Sequence, residues 1–513
     1  MKSSTFDCDA KQPDDLLGDM DPLVFRETGH ALVDWIAQYF QEGDRYPVLA
    51  TVAPGEIRSQ LPATAPEQGA SMAQVFSDFE RVLMPGLTHW NQPGFMAYFC
   101  STGSGPGVLA EFLTAALNQQ AMLWRTSPAA TELEEVVLGW VRGLLKLPVA
   151  FEGVITDGGS MSNLLALLAA RENAASSIRK RGLTDRHDFP LLSVYCTEHA
   201  HSSIDKAAIV LGLGQDALRR IPVDDNFRMR ADALQEAIRA DRRAGVKPMA
   251  VIAVVGTTST ASIDPAPAIA EICEREGIWL HVDAAYAGAA AMIQEYEWIF
   301  DGVARADSIV INPHKWLFTP LDLGALYCRR MDVLRKALAL TPEYLDNKQS
   351  GTVTNFRDIG IQLGRRFRAL KLWMVLRYFG AEGIRARISE HIRLAQQFAE
   401  WIDADPDFEL LAPVSLSLVC FRAAPNRLKN NVDGLNALNE ALLDRVNASG
   451  EIFLSHTRLN GCYALRLAVG HIRTSEVHVT RAWQLLREVL NCSNREYQEP
   501  SNFLTPDPST CSI

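Results

Sequence analysis

The 513-residue chain has no apolar run long enough to span a bilayer, and Met1 to Pro22 is polar and acidic without an apolar core. Neither a membrane span nor a secretory signal is therefore expected. Basic residues are in deficit, 50 Lys and Arg against 61 Asp and Glu, for a net charge of −11. That balance argues against nucleic acid or an anionic membrane as the main partner. Cysteine is sparse: nine residues, scattered singly, with no C-x-x-C pair. Neither a zinc site nor a disulfide framework is indicated, and a reducing cytoplasm is the expected location. The sequons at Asn447 and Asn491 carry little weight there. There is no G-x-G-x-x-G and no P-loop, so a dinucleotide or nucleoside triphosphate has no motif behind it. No fixed repeat is visible. What is present is ordinary for a globular protein, 48% hydrophobic and 22% charged residues, with length enough for a large core and two or three structural units.

Residues 1–22 are expected to be disordered. Leu32, Trp35, Ile36, Tyr39 and Phe40 then fall on a helical period, an amphipathic helix that needs its own domain or a partner subunit to pack on. Residues 71–84 are helical again. An aromatic-rich segment, His89 to Phe99, leads into a glycine-rich turn at Ser101 to Gly107. Such aromatics either pack a core or line a pocket for a flat ligand. From about 105 to 370, short apolar strands at 153–156, 193–197, 250–255, 278–282 and 308–311 alternate with helices such as 161–173 and 266–276. That alternation predicts a parallel sheet covered on both faces. Residues 341–354 are polar and include Pro342 and Gly351, which predicts a long loop of the kind that serves as a lid. A helical stretch over 365–402 is expected to bend near Gly380. Strands near 416–421, 452–455 and 463–469, a turn at Asn460-Gly461 and a helix over 476–490 predict a smaller α+β unit. The tail past Cys492 is polar.

Ligands of parallel sheets bind beyond the carboxyl ends of the strands, and here four strand ends carry chemistry. After 153–156 comes Asp157-Gly-Gly-Ser-Met-Ser-Asn163. Its glycines, the free N–H groups of a new helix and the hydroxyls of Ser160 and Ser162 suit a phosphate; a plain strand-to-helix turn with serine caps explains the stretch equally well. After 193–197 stands His201, which suits ring stacking or acid–base work. A metal reading of His199 and His201 lacks a third ligand at metal spacing, and a satisfied histidine at a helix start is the commoner case. Asp283 closes an apolar strand, where a carboxylate needs a partner such as a pyridinium N–H; taken alone it reads as a helix cap. Thr257 and Thr258 are turn caps or ring contacts. Finally Asn312-Pro-His-Lys-Trp316 follows 308–311. Lys315, set among apolar residues, should lose basicity and become an amine nucleophile suited to an aldehyde, although most lysines lie on the surface over their own stems.

Cradle, imidazole, aspartate and lysine in this order resemble a family. Thr197-Glu-His-Ala-His-Ser-Ser203, His281-Val-Asp-Ala-Ala-Tyr286 and Asn312-Pro-His-Lys-Trp316 are similar to the pyridoxal-phosphate-dependent group II decarboxylases, the aromatic-L-amino-acid decarboxylases above all. The likeness runs from about residue 20 to 490 and includes Leu61 to Pro66, Ser127 to Glu134 and Leu363 to Lys371. It implies an aspartate-aminotransferase-like fold type I: a mostly parallel central sheet, a smaller C-terminal α+β domain and an N-terminal helical segment. The implied division is 1–104 packing on a dimer partner, 105–372 binding pyridoxal phosphate, 373–495 forming the small domain and 496–513 a mobile tail.

The resemblance makes Lys315 the lysine that holds the cofactor, with Asp283 on the pyridine nitrogen and His201 stacked on the ring. Ser160, Ser162 and Asn312 match phosphate-contacting positions, Met161 another cofactor-binding position, His314 one beside the phosphate, and Thr258 one beside the ring. Tyr344 matches a lid tyrosine that protonates the α-carbon; members with phenylalanine there tend toward oxidative deamination to aldehydes. Trp90, Tyr98, Phe99 and Ser101 match substrate-pocket positions, although the family's usual Phe-Pro-Thr is Phe99-Cys100-Ser101 here. Gln120 and Met122 stand where a neighbouring subunit of the homodimer usually lends an aliphatic residue and a phenylalanine. A polar rim of this kind discriminates among substrates more sharply than an apolar one, and Gly364 fits members that accept larger rings.

The implied activity is decarboxylation of an aromatic L-amino acid (tyrosine, dihydroxyphenylalanine, tryptophan or phenylalanine type) to its amine, in a cytoplasmic homodimer with shared sites and without metal, nucleic acid or membrane. Three alternatives stand beside it. Gln120 and Cys100 keep open a same-fold decarboxylase of an acidic or aliphatic amino acid. An aromatic aldehyde synthase is opposed by Tyr344 and His201. A catalytically inert α/β interaction protein would bury Lys315 for structural reasons alone.

Overall fold

The computed structural model describes residues 18–183, 189–340, 353–428 and 430–498. Seven strands build the large sheet: β1 (Glu152–Thr156), β2 (Leu192–Cys196), β3 (Leu218–Arg220), β4 (Lys247–Val254), β5 (Trp279–Asp283), β6 (Ser308–Ile311) and β7 (Gly324–Cys328). Their order is β1-β7-β6-β5-β4-β2-β3. The run from β6 to β3 is parallel throughout, whereas β7 is antiparallel to both β6 and β1. The sheet is mostly parallel, as expected, and β3 and β7 are strands the sequence pattern did not announce. Because β7 reverses between them, β1 and β6 point the same way, and the carboxyl ends of β1, β2, β4, β5 and β6 share one edge.

Alternation along the strands buries both faces. Val251 and Ala253 of β4, with Leu280 and Val282 of β5, enter one core; Ala250 and Ile252, with Trp279, enter another. Leu165, Leu167 and Leu168 of the helix Gly159–Ala174 complete the second core. This period of two puts Trp279, His281 and Asp283 on the same face, toward that helix.

The helices used below are α1 (Pro22–Gln41), α2 (Gly105–Leu117), α3 (Pro128–Leu144), α4 (Gly159–Ala174) and α5 (Ala369–Ala404). Asp21 caps α1 through Leu23 N–H and Val24 N–H, with Pro22 at the first position, where a missing donor costs nothing. Trp35 of α1 packs edge-on against Phe76 and Phe79, at 5.7 and 5.9 Å. The bend in α5 is at Gly380, with φ 64° and ψ 170°, a conformation a side chain would resist.

The smaller sheet holds β8 (Phe408–Leu410), β9 (Leu418–Ala423), β10 (Ser455–Leu459) and β11 (Cys462–Ala468) in the order β10-β11-β9-β8. Asn460 and Gly461 join β10 to β11 with φ 49° and 82°, the paired positive angles that suit a tight hairpin. The strand expected over 452–455 lies instead at Ser455–Leu459. Phe453 leaves the sheet to bond with the aromatic segment: its N–H donates to Gly94 O and its carbonyl accepts from Met96 N–H. The last helix runs Glu476–Gln498, beyond the expected end at Leu490. No described helix is long and apolar enough to cross a membrane.

Candidate active site

At the shared strand edge lies a cavity of about 410 Å³. Asn312 follows β6, and Pro313 starts the one-turn helix Pro313–Trp316 that carries Lys315. Trp316 is fully buried and stacks at 4.6 Å on Tyr286, which stacks at 3.8 Å on Phe99. This aromatic column holds Lys315 Nζ 5.5 Å from the centre of the Phe99 ring. Burial pushes the lysine amine below its ordinary basicity, and the Asp283 carboxylate offsets part of that shift.

Asp283 ends β5 at the cavity wall. Its Oδ2 accepts from Asn163 Nδ2 at 2.9 Å and its Oδ1 from Ala285 N–H at 3.1 Å. Across the cavity, His201 Nδ1 meets Ser203 Oγ at 2.8 Å and Ser203 N–H at 3.2 Å. A backbone N–H can only donate, so Nδ1 accepts and Nε2 carries the proton. Burial holds the imidazole below its ordinary pKa; Asp283 opposes that, and the Lys315 charge adds to it.

The other end of the cavity is built by Gly158, Gly159 and the first turn of α4. A methyl group on Gly158 (φ 138°) would stand 3.0 Å from His314 Cε1, and one on Gly159 3.0 Å from Asn312 Nδ2. Only bare backbone leaves this space open. His314 Nδ1 accepts from Leu323 N–H at 2.9 Å, which leaves Nε2 as a donor. The carbonyl oxygen of the Asn312 amide is buried without a partner, so that side chain has hydrogen-bonding capacity left for a guest. Free N–H groups, a helix dipole and an imidazole donor suit a phosphate, and the Asp157 carboxylate beside the turn is already engaged by Arg368 at 2.7 Å and Gln362 at 2.5 Å. A half-buried, weakly basic amine and a carboxylate acceptor line the same cavity. The residues present therefore fit pyridoxal phosphate.

Of the residues singled out in the sequence, the cavity brings together Lys315, Asp283, His201, Ser160, Met161, Thr258, Asn312, His314 and Phe99. Ser162 turns away and meets Thr156 Oγ1 at 2.8 Å; residues two apart on a helix cannot share a face. Trp90 and Tyr98 stack on each other at 5.8 Å beside Phe453 and stay half-exposed, outside the cavity lining. Ser101 does not line it either. The Gln120 side chain accepts from Arg365 N–H at 2.6 Å, and the Met122 carbonyl accepts from Arg357 N–H at 3.2 Å. His199 packs on Phe227 at 5.5 Å. Tyr344, with the rest of the expected loop up to 352, lies outside the described residues. Asn163, Ser203 and Tyr286 also face the cavity, although sequence reasoning gave them no part in it. The available signal was Asn163 itself, a polar residue opening an otherwise apolar helical run.

Sheet order, antiparallel β7 and a lysine just past β6 define the class: a fold type I pyridoxal-phosphate enzyme. Comparison with known proteins agrees. Residues 54–424 match the pyridoxal-dependent decarboxylase conserved domain. Over 483 residues the chain is 42% identical to phenylacetaldehyde synthase of Arabidopsis thaliana, covering 92% of this chain and 97% of that protein. It is also 42% identical to tyrosine decarboxylase 2 of the same plant, covering 91% and 87%. The crystal structure of Oryza sativa TDC with PLP and tryptamine superposes with a TM-score of 0.89 at 35% identity, over 94% of this chain and 100% of that one. The chain belongs to the pyridoxal-dependent decarboxylase family, and it is a pyridoxal-phosphate-dependent amino-acid decarboxylase.

Proposed function

We propose that this decarboxylase converts aromatic L-amino acids to their amines and CO2, with pyridoxal phosphate held by Lys315. The observation that carries the assignment of the site is a half-buried lysine of lowered basicity sharing one cavity with the Asp283 carboxylate and an open helix N-terminus. The aromatic substrate class is supported by relatives named for tyrosine and tryptophan decarboxylation.

Bound there, pyridoxal phosphate supplies an aldehyde that condenses with amines and a protonated ring that draws electrons from the bond to the departing carboxylate. Lys315 offers an amine that burial keeps nucleophilic. Asp283, which only accepts, holds the proton on the ring nitrogen. His201, its Nδ1 occupied by Ser203, would cover the ring and keep Nε2–H as a donor. The first turn of α4 at Ser160 and Met161, with His314 and Asn312, receives the phosphate; Ser162 braces that turn from behind through Thr156, and Thr258 flanks the ring. Phe99 forms an apolar floor, and Tyr344 would be the residue that donates a proton to the α-carbon.

We assign Trp90, Tyr98, Ser101, Gln120 and Met122 to a substrate pocket completed across a homodimer. In support, α2 exposes Leu109, Phe112, Leu113 and Leu117, and Phe25 of α1 stacks on Phe112 at 6.4 Å. Apolar patches of this kind mark interfaces. A reducing cytoplasm suits the described cysteines, all of which are free thiols. An aldehyde synthase is the second reading, favoured by the 42% identity to one; Tyr344 favours the amine as product.

Borohydride reduction of the holoenzyme followed by peptide mapping tests the site. A pyridoxyl group on Lys315 is expected, and one on any other lysine overturns the assignment.

A further inference from the structure

Behind the cavity runs a chain of polar side chains that ends on Asp283 and His201 and whose inner members, Trp279, Ser308, His281, Asn163 and Ser203, none of the roles above uses. Trp279, His281 and Asp283 share one face of β5, and the register β5 to β6 sets His281 beside Ser308. α4 lays Asn163 over them. The contacts are Trp279 Nε1 to Ser308 Oγ at 2.9 Å, Ser308 Oγ to His281 Nδ1 at 2.9 Å, and His281 Nε2 to Asn163 Oδ1 at 2.8 Å. Asn163 Nδ2 then reaches both Asp283 Oδ2 at 2.9 Å and Ser203 Oγ at 2.8 Å, and Ser203 Oγ reaches His201 Nδ1 at 2.8 Å. Asn163, His281, Ser308 and Trp279 are all essentially without solvent exposure.

Donor chemistry gives the chain one direction. The indole N–H only donates, so Ser308 Oγ accepts it and has its own proton for His281 Nδ1. His281 Nε2 must then carry its proton to the Asn163 carbonyl. Burial favours this neutral form, holding the imidazole at about 4. The Asn163 amide cannot turn over, because its oxygen would then face the Asp283 carboxylate. Both of its N–H groups are thus committed, one to Asp283 and one to Ser203. Ser203 accepts from Asn163 and has its proton left for His201 Nδ1, the nitrogen already fixed as an acceptor.

We propose that Asn163, held by His281, is a positioning residue that sets the Asp283 carboxylate and the His201 tautomer together. One amide thereby prepares the group beneath the ring nitrogen and the group over the ring face. An unheld carboxylate at this depth would rotate or take up a proton. This inference rests on the assignment of Asp283 to the ring nitrogen.

The test compares two ligands on the apo-enzyme: pyridoxal phosphate, and its analogue with C–H in place of the ring nitrogen. Asn163→Leu should weaken pyridoxal phosphate roughly tenfold or more, the usual scale for supporting residues, and leave the analogue's affinity unchanged. A merely structural role would weaken both alike, and that result overturns the proposal. Asp283→Ala is the control for the underlying assignment. It must show the same selective loss; if it weakens both ligands equally, the assignment of Asp283 falls and the inference falls with it. Selective loss in Asp283→Ala without selective loss in Asn163→Leu overturns the inference alone. Should Asn163→Leu not fold, Asn163→Asp keeps the side-chain shape and is expected to show the selective loss. His281→Gln, which retains a terminal N–H, should keep more of the selectivity than His281→Leu; equal selectivity in the two variants removes His281 from the relay.

Discussion

Lys371 is buried and Lys315 half-buried, and they differ in what answers the charge. Lys371 Nζ has Glu111 at 2.5 Å. Lys315 has the more distant field of Asp283 and the Phe99 ring at 5.5 Å, and makes no ion pair among the described residues. A lysine left in that state destabilises the empty protein and serves its reactivity. Lys315→Met should therefore raise the melting temperature of the apo-enzyme, by an amount corresponding to about 0.5–2 kcal/mol, while abolishing CO2 release; a lower melting temperature would contradict the assignment. Gly158→Ala should weaken the cofactor, since φ 138° strains any side chain and the methyl group would crowd the His314 ring, with Cε1 at 3.0 Å; cofactor titration checks it. At this scale the sequence was legible where a reactive residue closes an apolar strand, as Asp283 and Lys315 do. It was not legible for Asn163, whose role comes from facing β5 across the core, nor for Ser162, whose spacing from Ser160 on a helix sends it to the opposite side.

Elements join through one buried ion pair in particular. Arg365, just before α5, donates to Glu134 of α3 at 2.8 Å and to Ile155 O of β1 at 2.9 Å, and Glu134 also accepts from Ile155 N–H at 2.8 Å. Both side chains are buried. Glu134→Ala leaves an uncompensated buried guanidinium and should cost about 3–5 kcal/mol in denaturant unfolding; a loss well under 1 kcal/mol, the worth of an exposed pair, would contradict this. The expected elements that held were those with long periodic patterns, such as Ala266–Glu276, which runs over the very residues expected. β7 escaped because a short apolar strand carries no sign of its direction or partners, and Gly324–Cys328 is antiparallel on both sides. β10 was misplaced by three residues because Ile452 and Leu454 are buried like strand residues but sit against the aromatic segment.

The whole molecule carries buried neutral imidazoles. Burial holds His281 and His391 down at about 4 and His314 at about 3, all from an ordinary 6.5. Folded values lie below the unfolded one, so the unfolded chain binds more protons once the pH falls under 6.5. Their contribution to stability is complete above pH 6.5 and is lost as the pH falls toward the folded values, at about 1.4 kcal/mol per pH unit for each histidine once well below 6.5. The apo-enzyme should accordingly unfold at much lower denaturant at pH 5 than at pH 7.5; equal midpoints would contradict the burial argument. The proposed homodimer predicts that Leu113→Asp sediments as a monomer and loses activity, whereas an unchanged sedimentation coefficient would remove α2 from the interface.

Substrate class is the central claim, and it is tested most directly by measuring CO2 and amine from a panel of L-amino acids with the pyridoxal-phosphate-loaded enzyme: tyrosine, dihydroxyphenylalanine, tryptophan, phenylalanine, histidine, glutamate and aspartate. The prediction is turnover confined to the aromatic members, with amine equal to CO2 and no oxygen consumed. Turnover of glutamate or aspartate alone would overturn the substrate class, and aldehyde formed with oxygen uptake would overturn the reaction.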